Sequence, residues 1–484
     1  MRSIYQRIVK PTLLVLGMAS CLCSHAATPL RFRHDGTFRI AQFTDLHWDN
    51  NSPKCKETVA TIRQILEVEK PDLAVLTGDI VTSVPAREGW LAIAAIFEEA
   101  KTPFAVTLGN HDAEPEINRS QIFDLLQGKP YFVGEHGSAL HGAGNYALPV
   151  LSSDEKITAA VVYCLDSNDY PSDKRIQNYD WIQFDQIAWY RNTSDHYTAA
   201  NQQSPVPSLA FFHIPLVEYK NIVTNPTTLG EVREEVCSSD INSGFFASMI
   251  EKKDIMGVFV GHDHDNNFIG IEKDIALGYG QITGASAYGN LERGARIIEL
   301  HQHQFSFNTW IRTASGVQFH YNYPSGMSSD TTALKPHPAK QVGNLKPGIR
   351  FNYYEGGFKS TAELADAKIK DRGVLKNITI EQAAAKDSFA YAFHGYVKIP
   401  KSGLYRFYTY SDDGSSLFIN GQEVVNNDGS HGLKRANGEI ALQEGFHEFK
   451  LLYFESYMGN QLEVGISSLS IRECKIPDNF LFYE

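Results

Sequence analysis

The sequence predicts an α/β domain followed by a separate all-β domain. In residues 38–260, short apolar runs alternate with amphipathic helical patterns, which is typical of helices packed on a sheet. Residues 316–344 are rich in Ser, Thr, Pro and Gly, which indicates a linker. Beyond it, short apolar runs are separated by turn signals such as Asn420-Gly421, a strong hairpin signal. The length of 484 residues allows two or three domains.

The first elements follow a strand–helix–strand order. The run Phe38–Thr44 predicts a strand. A helix is expected after it, because Ser52 is a good N-cap, Pro53 suits the first helical position, and apolar side chains recur on one face. Further strands are predicted at Leu73–Thr77 and Pro103–Leu108, with a helix at Glu88–Ala100 between them.

The same alternation continues further along the chain. Strands are predicted at Ala159–Leu165, Ser208–Phe212 and Met256–Val260, and helices near Trp181–Arg191 and at Ser243–Lys253. Two later runs, Ile275–Ile282 and Ala295–Trp310, are predicted as antiparallel strands that cover a sheet edge. In the C-terminal part, strands are predicted at Phe389–Ile399, Gly403–Ser411, Ser416–Ile419 and Phe446–Phe454.

Polar side chains follow the predicted strands of the first domain at the point where each strand ends. They are Asp45, His47, Asp79, Asn110, His111, Asp112, His213, His262 and His264. Each short motif alone could be an ordinary turn capped by its own side chains. These residues form five short motifs in succession, each directly after an apolar strand. Together the motifs indicate a site, because ligands are held at the carboxyl ends of strands in open α/β sheets.

The chemistry of these side chains favours metal ions. Carboxylate and amide oxygens suit hard cations, and imidazole suits zinc, iron, nickel or manganese. The set is large enough for two neighbouring ions, since an aspartate with two oxygens can bridge them. There is no C-x-x-C pair, so a cysteine zinc site is not expected.

Residues 38–310 resemble the calcineurin-like metallophosphoesterases, whose members include the purple acid phosphatases. All five family blocks are present in order, and Gly261-His262-Asp263-His264-Asp265-Asn266-Asn267-Phe268 is similar to the branch near those phosphatases. The resemblance implies an α/β fold in which two sheets form a sandwich flanked by helices, with two metals at its rim.

The resemblance also implies the ligand assignment. Metal one would be held by Asp45, His47, Asp79 and His264, and metal two by Asp79, Asn110, His213 and His262, with Asp79 bridging. His111 would be the general acid, steered by a carboxylate such as Asp112. One position departs from the purple enzymes: their metal-binding tyrosine is replaced by Thr82. Two divalent ions, iron, zinc or manganese, therefore fit better than a firmly held ferric iron.

The implied activity is hydrolysis of phosphate monoesters by in-line attack of a metal-bridging hydroxide, with a small phosphate ester as substrate. A phosphodiesterase acting on nucleotides or lipid head groups is the first alternative. A glycan-binding surface protein, in which the first domain only assists, is the second.

The C-terminal part resembles a PA14 domain over about residues 345–470. The resemblance depends on the segments Gly403-Leu404-Tyr405-Arg406-Phe407, Ser411-Asp412-Asp413-Gly414-Ser415, Leu417-Phe418-Ile419-Asn420-Gly421 and Asn427-Asp428-Gly429-x-His431. Such modules accompany secreted glycan-active proteins, and some bind sugar through calcium held by an Asp-Asp pair. Asp412 and Asp413 are therefore candidate calcium and glycan ligands. The alternative is that Asp412-Asp413-Gly414 only forms a tight turn.

The N-terminus predicts export. Arg2, Arg7 and Lys10 precede a short apolar run and a small-residue cleavage site, which is typical of a signal peptide over residues 1–26. The run is too short for a transmembrane segment. Met18-Ala19-Ser20-Cys21 resembles a lipoprotein box, so an anchor at Cys21 is an alternative. Four cysteines follow, of which Cys164 is expected to be a buried thiol.

The charge and the domain limits complete the prediction. The formal net charge of −12 disfavours nucleic acid as a partner, because phosphate backbones attract basic surfaces. The expected organisation is a signal peptide at 1–26, a metallophosphoesterase domain at 27–315, a linker at 316–344 and a PA14-like domain at 345–484.

Overall fold

The structure of the protein is a computed structural model that describes residues 29–137, 139–225, 227–328, 335–469 and 471–484. The signal peptide expected at 1–26 and the lipoprotein-like box at Cys21 lie outside the described residues. The elements of the first domain are β1 (Thr37–Thr44), α1 (Cys55–Glu69), β2 (Leu73–Thr77), α2 (Ala86–Ala100), β3 (Phe104–Thr107), α3 (Arg119–Leu126), β4 (Tyr146–Leu151), β5 (Thr158–Cys164), α4 (Phe184–Ala200), β6 (Ser208–Phe211), α5 (Tyr219–Ile222), α6 (Phe245–Lys252), β7 (Ile255–Val260), β8 (Ile269–Glu272), β9 (Ile275–Tyr279), β10 (Gln281–Ile282), β11 (Gly294–His301), β12 (Phe307–Thr313), β13 (Gly316–Tyr323) and β14 (Met327–Ser328).

Two sheets form this domain. The first has the strand order β14-β13-β12-β11-β1-β2-β3, with β10 beside the end of β1. The second has the order β4-β5-β6-β7-β9-β8. β1, β2 and β3 are parallel, as are β5, β6, β7 and β9. The carboxyl ends of these strands are where the sequence places the polar motifs.

The main apolar core lies between the two sheets and beneath the helices of the first. Phe211 and Phe259 from the second sheet pack in it with Phe307 from the first. Helices α1 and α2 bury Ile62, Ile65, Trp90 and other apolar side chains against the outer face of the first sheet. A second core, with Tyr190 and Met249, packs α4 and α6 against the second sheet. The predicted sandwich of two sheets flanked by helices is confirmed.

Two details of the strand prediction are wrong. The run Ile275–Ile282 forms β9, which pairs parallel with β7, and β10, which pairs parallel with β1. β11 and β12, from the run Ala295–Trp310 and its flanks, are antiparallel as predicted, and β9 also pairs antiparallel with β8, but β11 lies directly beside β1 inside its sheet. Strand direction depends on long-range pairing, which an apolar run does not specify.

The second domain is all-β. Its elements are β15 (Lys346–Pro347), β16 (Ile349–Glu355), β17 (Asp371–Leu375), β18 (Phe389–Ile399), β19 (Gly403–Asp412), β20 (Ser415–Ile419), β21 (Gln422–Asn427), β22 (Lys434–Leu442), β23 (Gly445–Glu455), β24 (Gln461–Ser468), β25 (Ile471–Lys475) and β26 (Leu481–Tyr483), with short 3₁₀ helices at Thr361–Ala365 and Asp478–Phe480. One sheet contains β15-β26-β18-β23-β20-β21 with β16 and β17 beside it, and the other contains β22-β19-β24-β25.

The two sheets of this domain bury apolar side chains such as Phe393, Phe407 and Phe449 in one shared core. The hairpin predicted at Asn420-Gly421 joins β20 to β21, and both turn residues have positive φ, +50° and +81°. Two residues in this conformation match the right-handed twist of the strands that they connect.

The segment predicted as a linker over 316–344 begins inside the first domain. β13 pairs with β12 along its length, and β14 pairs with β13. Tyr321 is fully buried, and the ring of Tyr323 stacks on that of Phe307 with centroids 5.0 Å apart. The metallophosphoesterase domain therefore extends at least to residue 328, past the predicted boundary at 315. Composition alone misses β13 because its first five residues, Gly316–His320, are half-exposed or exposed and mix polar with apolar side chains.

Contacts also join the two domains. The guanidinium of Arg406 donates to the carbonyl oxygen of Gly326, 3.0 Å away, and Arg472 pairs with Asp274. Across the described residues, no helix is both long and apolar enough to span a membrane. The four described cysteines are free thiols, and Cys164 is buried as expected.

Shortening the first domain to the predicted boundary should destabilise it. A fragment of residues 29–315 lacks β13 and β14 and exposes the face of Phe307, whereas a fragment of residues 29–328 keeps them. Burial of Tyr321, Tyr323 and Met327 is worth about 1.5–3 kcal/mol for each side chain. We expect the shorter fragment to melt at least about 10 °C lower in a thermal unfolding experiment. Equal melting temperatures would show that β13 is dispensable.

Candidate metal centre

The polar residues that follow β1, β2, β6 and β7 converge on one place between the two sheets. Two groups of side chains have ligand atoms within 4.8 Å of one another: Asp45, His47 and His264 form the first group, and Asp79, His213 and His262 form the second. These are the residues that the sequence assigned to metal one and metal two. The structure brings all six together, although they are up to 219 positions apart in the sequence.

Asp79 lies between the two groups. Its Oδ2 atom is 3.7 Å from His47 Nε2 and 3.3 Å from His213 Nε2. In the first group, Asp45 Oδ1 is 3.3 Å from His264 Nε2. Asp79 therefore lies within 4 Å of a histidine of each group.

The backbone at the site is held in an unusual conformation. Asp45, His47, Asp79 and His262 all have positive φ, between +41° and +83°. Residues other than glycine adopt this conformation rarely, and it occurs most often at functional sites, where the surrounding fold enforces it. Gly109 is also required at this site, because a Cβ at this position would collide with the carboxylate and backbone of Asp79. The glycine permits the turn that carries Asn110 to approach the bridging position.

Several polar atoms at the site have no hydrogen-bond partner among the described residues. His47 Nε2, Asn110 Oδ1 and Nδ1 of His264 are buried in this state. Buried polar atoms are nearly always paired, because leaving one unpaired costs about 1–3 kcal/mol. Oxygen and nitrogen atoms whose lone pairs point at one place and accept no hydrogen bond are suited to binding a cation. The donor set of these residues therefore fits two divalent ions.

The close approach of these buried groups shifts their pKa values. Burial opposes ionisation of Asp45, but the neighbouring His264 and His213 outweigh it and lower the pKa of Asp45 to about 2. Burial lowers the pKa of His47 to about 4, and burial together with His213 lowers that of His262 to about 3. Neutral imidazoles are the form that ligates metals.

His213 is the exception among the histidines. Despite full burial, Asp79 and Asp45 raise its pKa to about 10. Its Nδ1 donates to the carbonyl oxygen of Thr77 at 2.8 Å, which points Nε2 toward Asp79. A hydrogen bond of this kind from the second ring nitrogen is the usual way in which a metal-ligating histidine is oriented.

The structure corrects the predicted role of Asp112. Its carboxylate is fully buried and accepts hydrogen bonds from the backbone N–H groups of Ile80, Val81 and Gly109, at 2.7–3.1 Å. It therefore cross-links the turns that carry Asp79 and Asn110, and it does not steer His111. The carboxylate beside His111 belongs to Glu114, whose Oε2 is 2.8 Å from His111 Nδ1.

His111 lies beside the first group of side chains. Its backbone N–H donates to Asp79 Oδ1 at 2.9 Å, and its ring lies 5.9 Å from that of His47. The side chain is 37% exposed, whereas that of His47 is 20% exposed and the other five residues of the two groups are buried. The His111 imidazole is therefore half-exposed beside the candidate ligand His47.

A rim of aromatic and acidic side chains borders the site, which the sequence motifs did not reveal. Tyr288 stacks on His264 with ring centroids 3.9 Å apart, and its hydroxyl donates to Glu234. Tyr179 packs edge-on against His262 at 4.3 Å. These residues come from the loops 168–179 and 221–242 and from the segment after β10. Glu114 could have been found from its spacing of three residues after His111, but the tyrosines carry no local signal.

Comparisons with known proteins agree with this geometry. Residues 38–266 match the calcineurin-like phosphoesterase family, and residues 345–479 match the PA14 domain. The chain is 34% identical over 323 residues to the probable inactive purple acid phosphatase 29 of Arabidopsis thaliana, covering 58% of this chain and 83% of the relative. It is 29% identical over 326 residues to phosphatase DCR2 of Saccharomyces cerevisiae, covering 59% and 55%.

Among solved structures, a dimetal phosphatase from Danio rerio matches with a TM-score of 0.42 and 11% identity, covering 59% of this chain and 98% of that one. The fold and the two groups of ligands define a metallophosphoesterase-type protein. The chain belongs to the calcineurin-like phosphoesterase family and carries a C-terminal PA14 domain.

Asp112 and Glu114 should have separable effects. Asp112→Ala leaves three buried backbone N–H groups without an acceptor, so it should lower the free energy of unfolding by about 3 kcal/mol or more. Glu114→Ala removes an exposed contact and should leave the melting temperature unchanged. Denaturant unfolding of both variants tests this. If the two variants were equally stable, Asp112 would not cross-link the turns as described.

Proposed function

We propose that this protein is an exported, binuclear metal-dependent phosphatase that hydrolyses phosphate monoesters. The observation that carries the proposal is the complete ligand set, with unpartnered donor atoms converging from both sheets. The relative from Arabidopsis thaliana is named inactive, so activity is inferred here from this chain's own residues. Support for export comes from the signal-like pattern in residues 1–26.

One ion would be held by the first group, Asp45, His47 and His264, and the other by Asn110, His213 and His262. Asp79 would be shared by both ions. Iron, zinc and manganese all accept this mixture of imidazole and carboxylate ligands. When bound, two such cations would neutralise phosphate charge and lower the pKa of a water nucleophile. Asp45, Asp79 and the imidazoles of His47, His213, His262 and His264 would hold the ions.

The residues of the chain supply proton transfer and orientation. His111 would donate a proton to the leaving oxygen, and Glu114 would hold the imidazole in place through Nδ1. Asp112 would keep the turn in register by accepting from three backbone groups. No serine or cysteine nucleophile is needed in this scheme.

Removing the bridge tests the proposal. The wild-type protein should contain about two metal ions per chain and hydrolyse phosphate monoesters in a panel of mono- and diesters assayed with defined metals. Asp79→Ala should abolish activity and lower the metal content, because its carboxylate lies between the two groups. Asp124→Ala, the same change at an exposed helical position, is the matched control. Full activity in Asp79→Ala would contradict the binuclear proposal, and a preference for diesters would favour a phosphodiesterase.

The role of His111 predicts a dependence on the leaving group. General acid catalysis contributes about 10²–10⁴-fold, and it matters most when the departing alkoxide is a strong base. His111→Ala should therefore cost about that factor on an alkyl phosphate and much less on p-nitrophenyl phosphate, with unchanged metal content. His141→Ala, on an exposed histidine, is the control. Equal losses on both substrates would indicate an electrostatic role instead.

A second candidate function, calcium-dependent glycan binding, concerns the PA14 domain. Asp412, Asp413 and Glu455 form an acidic group with oxygens within 4.8 Å of one another. Glu455 is fully buried, and its Oε1 has no hydrogen-bond partner in the described part of the chain. Burial and the two aspartates raise the pKa of Glu455 to about 7. A cation would relieve this repulsion, and calcium prefers oxygen ligands.

The alternative is that Asp412 and Asp413 have a structural role. It is supported by Asp413, whose two carboxylate oxygens accept hydrogen bonds from the backbone N–H groups of His431 and Ser456, each at 2.8 Å. If calcium binds, it should raise the melting temperature of the wild-type protein by several degrees at saturation. Glu455→Gln should lose this shift, whereas Glu448→Gln, exposed on the same strand, should keep it. A glycan array with and without chelator completes the test. Binding that survives chelation would contradict a calcium-held glycan site.

A further inference from the structure

Among the residues that the structure describes, the Asn110 side chain makes one hydrogen bond, through its nitrogen. Its Nδ2 donates to the hydroxyl oxygen of Tyr170 at 3.1 Å. Its Oδ1 is buried and has no hydrogen-bond partner among the described residues. Of the two ends of an amide, only the oxygen can ligate a cation, since the nitrogen carries its hydrogens outward as donors. The contact with Tyr170 therefore leaves the ligating end of Asn110 free.

Ion pairs of Arg119 hold the loop that carries Tyr170. Arg119, whose side chain is only 12% exposed, pairs with Asp166 at 3.1 Å and with Asp169 at 3.5 Å. The same guanidinium donates to the carbonyl oxygen of Gly109 at 2.8 Å. Arg119 thus ties the turn that carries Asn110 to the loop that carries Tyr170.

A second contact supports Tyr170 from the other side. Its ring stacks on that of Tyr179 with centroids 5.8 Å apart, and Tyr179 in turn packs edge-on against His262. The loop of residues 166–179 therefore contacts two members of the second metal site, Asn110 and His262. The ring of Tyr170 is still 44% exposed, so it contributes little to the core.

We propose that Tyr170 is a positioning residue that selects which end of the Asn110 amide faces the second metal ion. This inference depends on the metal assignment of the proposed function, but not on the reaction. Tyr170 does not ligate the ion in this scheme. Its hydroxyl oxygen accepts the amide N–H, and the amide oxygen is thereby presented to the ion that His213 and His262 would also hold.

The experiment measures metal affinity in the full-length protein. Metal-free wild type and Tyr170→Phe are titrated with Mn²⁺ by calorimetry, and electron paramagnetic resonance reports the coupled pair of ions. Loss of an outer partner of a metal ligand typically costs 10–100-fold in affinity. Tyr170→Phe should weaken binding of the second ion by about this factor and leave the first unchanged. Tyr131→Phe, the same change at an exposed tyrosine of the same domain, is the matched control and should bind both ions as wild type does.

A second pair of variants tests whether Tyr170 acts through the orientation of the Asn110 amide. In Asn110→Asp both terminal atoms are oxygens, so neither orientation of the side chain is wrong. Adding Tyr170→Phe to Asn110→Asp should therefore have no further effect on metal affinity. Wild-type affinity in Tyr170→Phe alone, or an equal loss in the Asn110→Asp background, would overturn the inference. Thermal unfolding confirms that each variant is folded before titration.

The outcome for this inference can be distinguished from that for the proposed function. Wild-type protein that binds two ions but hydrolyses no phosphate ester would contradict the proposed function and leave the role of Tyr170 to be decided by the titration. Wild-type protein that binds only one ion would overturn both.

Discussion

The centre depends on the carboxylate of Asp79 meeting imidazoles from two different sheets. His47 follows a strand of the first sheet, and His213 follows a strand of the second, so the sheets must be held in one relative position at this end. Buried hydrogen bonds do this: Gln42 donates across the sandwich to the carbonyl oxygen of Val260, and the backbone N–H of His262 donates to Asp45. Several charges and imidazoles buried together would be costly without a compensating cation or proton.

Much of the site could be predicted from the sequence because its ligands lie directly after apolar strands. The order of the motifs is enough to place Asp45 and Asp79 at one sheet edge, since parallel strands bring their carboxyl ends together. That His264 joins them depends on the packing of the second sheet on the first. The error concerning Asp112 has a simple cause. Neighbouring residues in a turn can point in opposite directions, and Asp112 points into the protein while His111 points out.

The parts that the sequence did not predict depend on long-range contacts. Tyr170, Tyr179 and Tyr288 reach the centre from loops whose composition is ordinary, and only the packed structure shows which ring lies beside which histidine. The domain boundary was misplaced for a similar reason. β13 is a strand because it pairs with β12, and its half-exposed first residues resemble a linker until that pairing is known.

The acidic rim has a consequence for the approach of ligands from solution. Glu114 and Glu234 border the entrance, and the whole chain carries a net charge of −12. The long-range field of such a protein slows the diffusional encounter with a dianion and speeds that with a cation. Dissolved salt screens this field within about 10 Å at 0.1 M ionic strength. Association of a dianion with the metal-free chain would therefore become faster as ionic strength rises, and bound divalent cations would weaken this dependence.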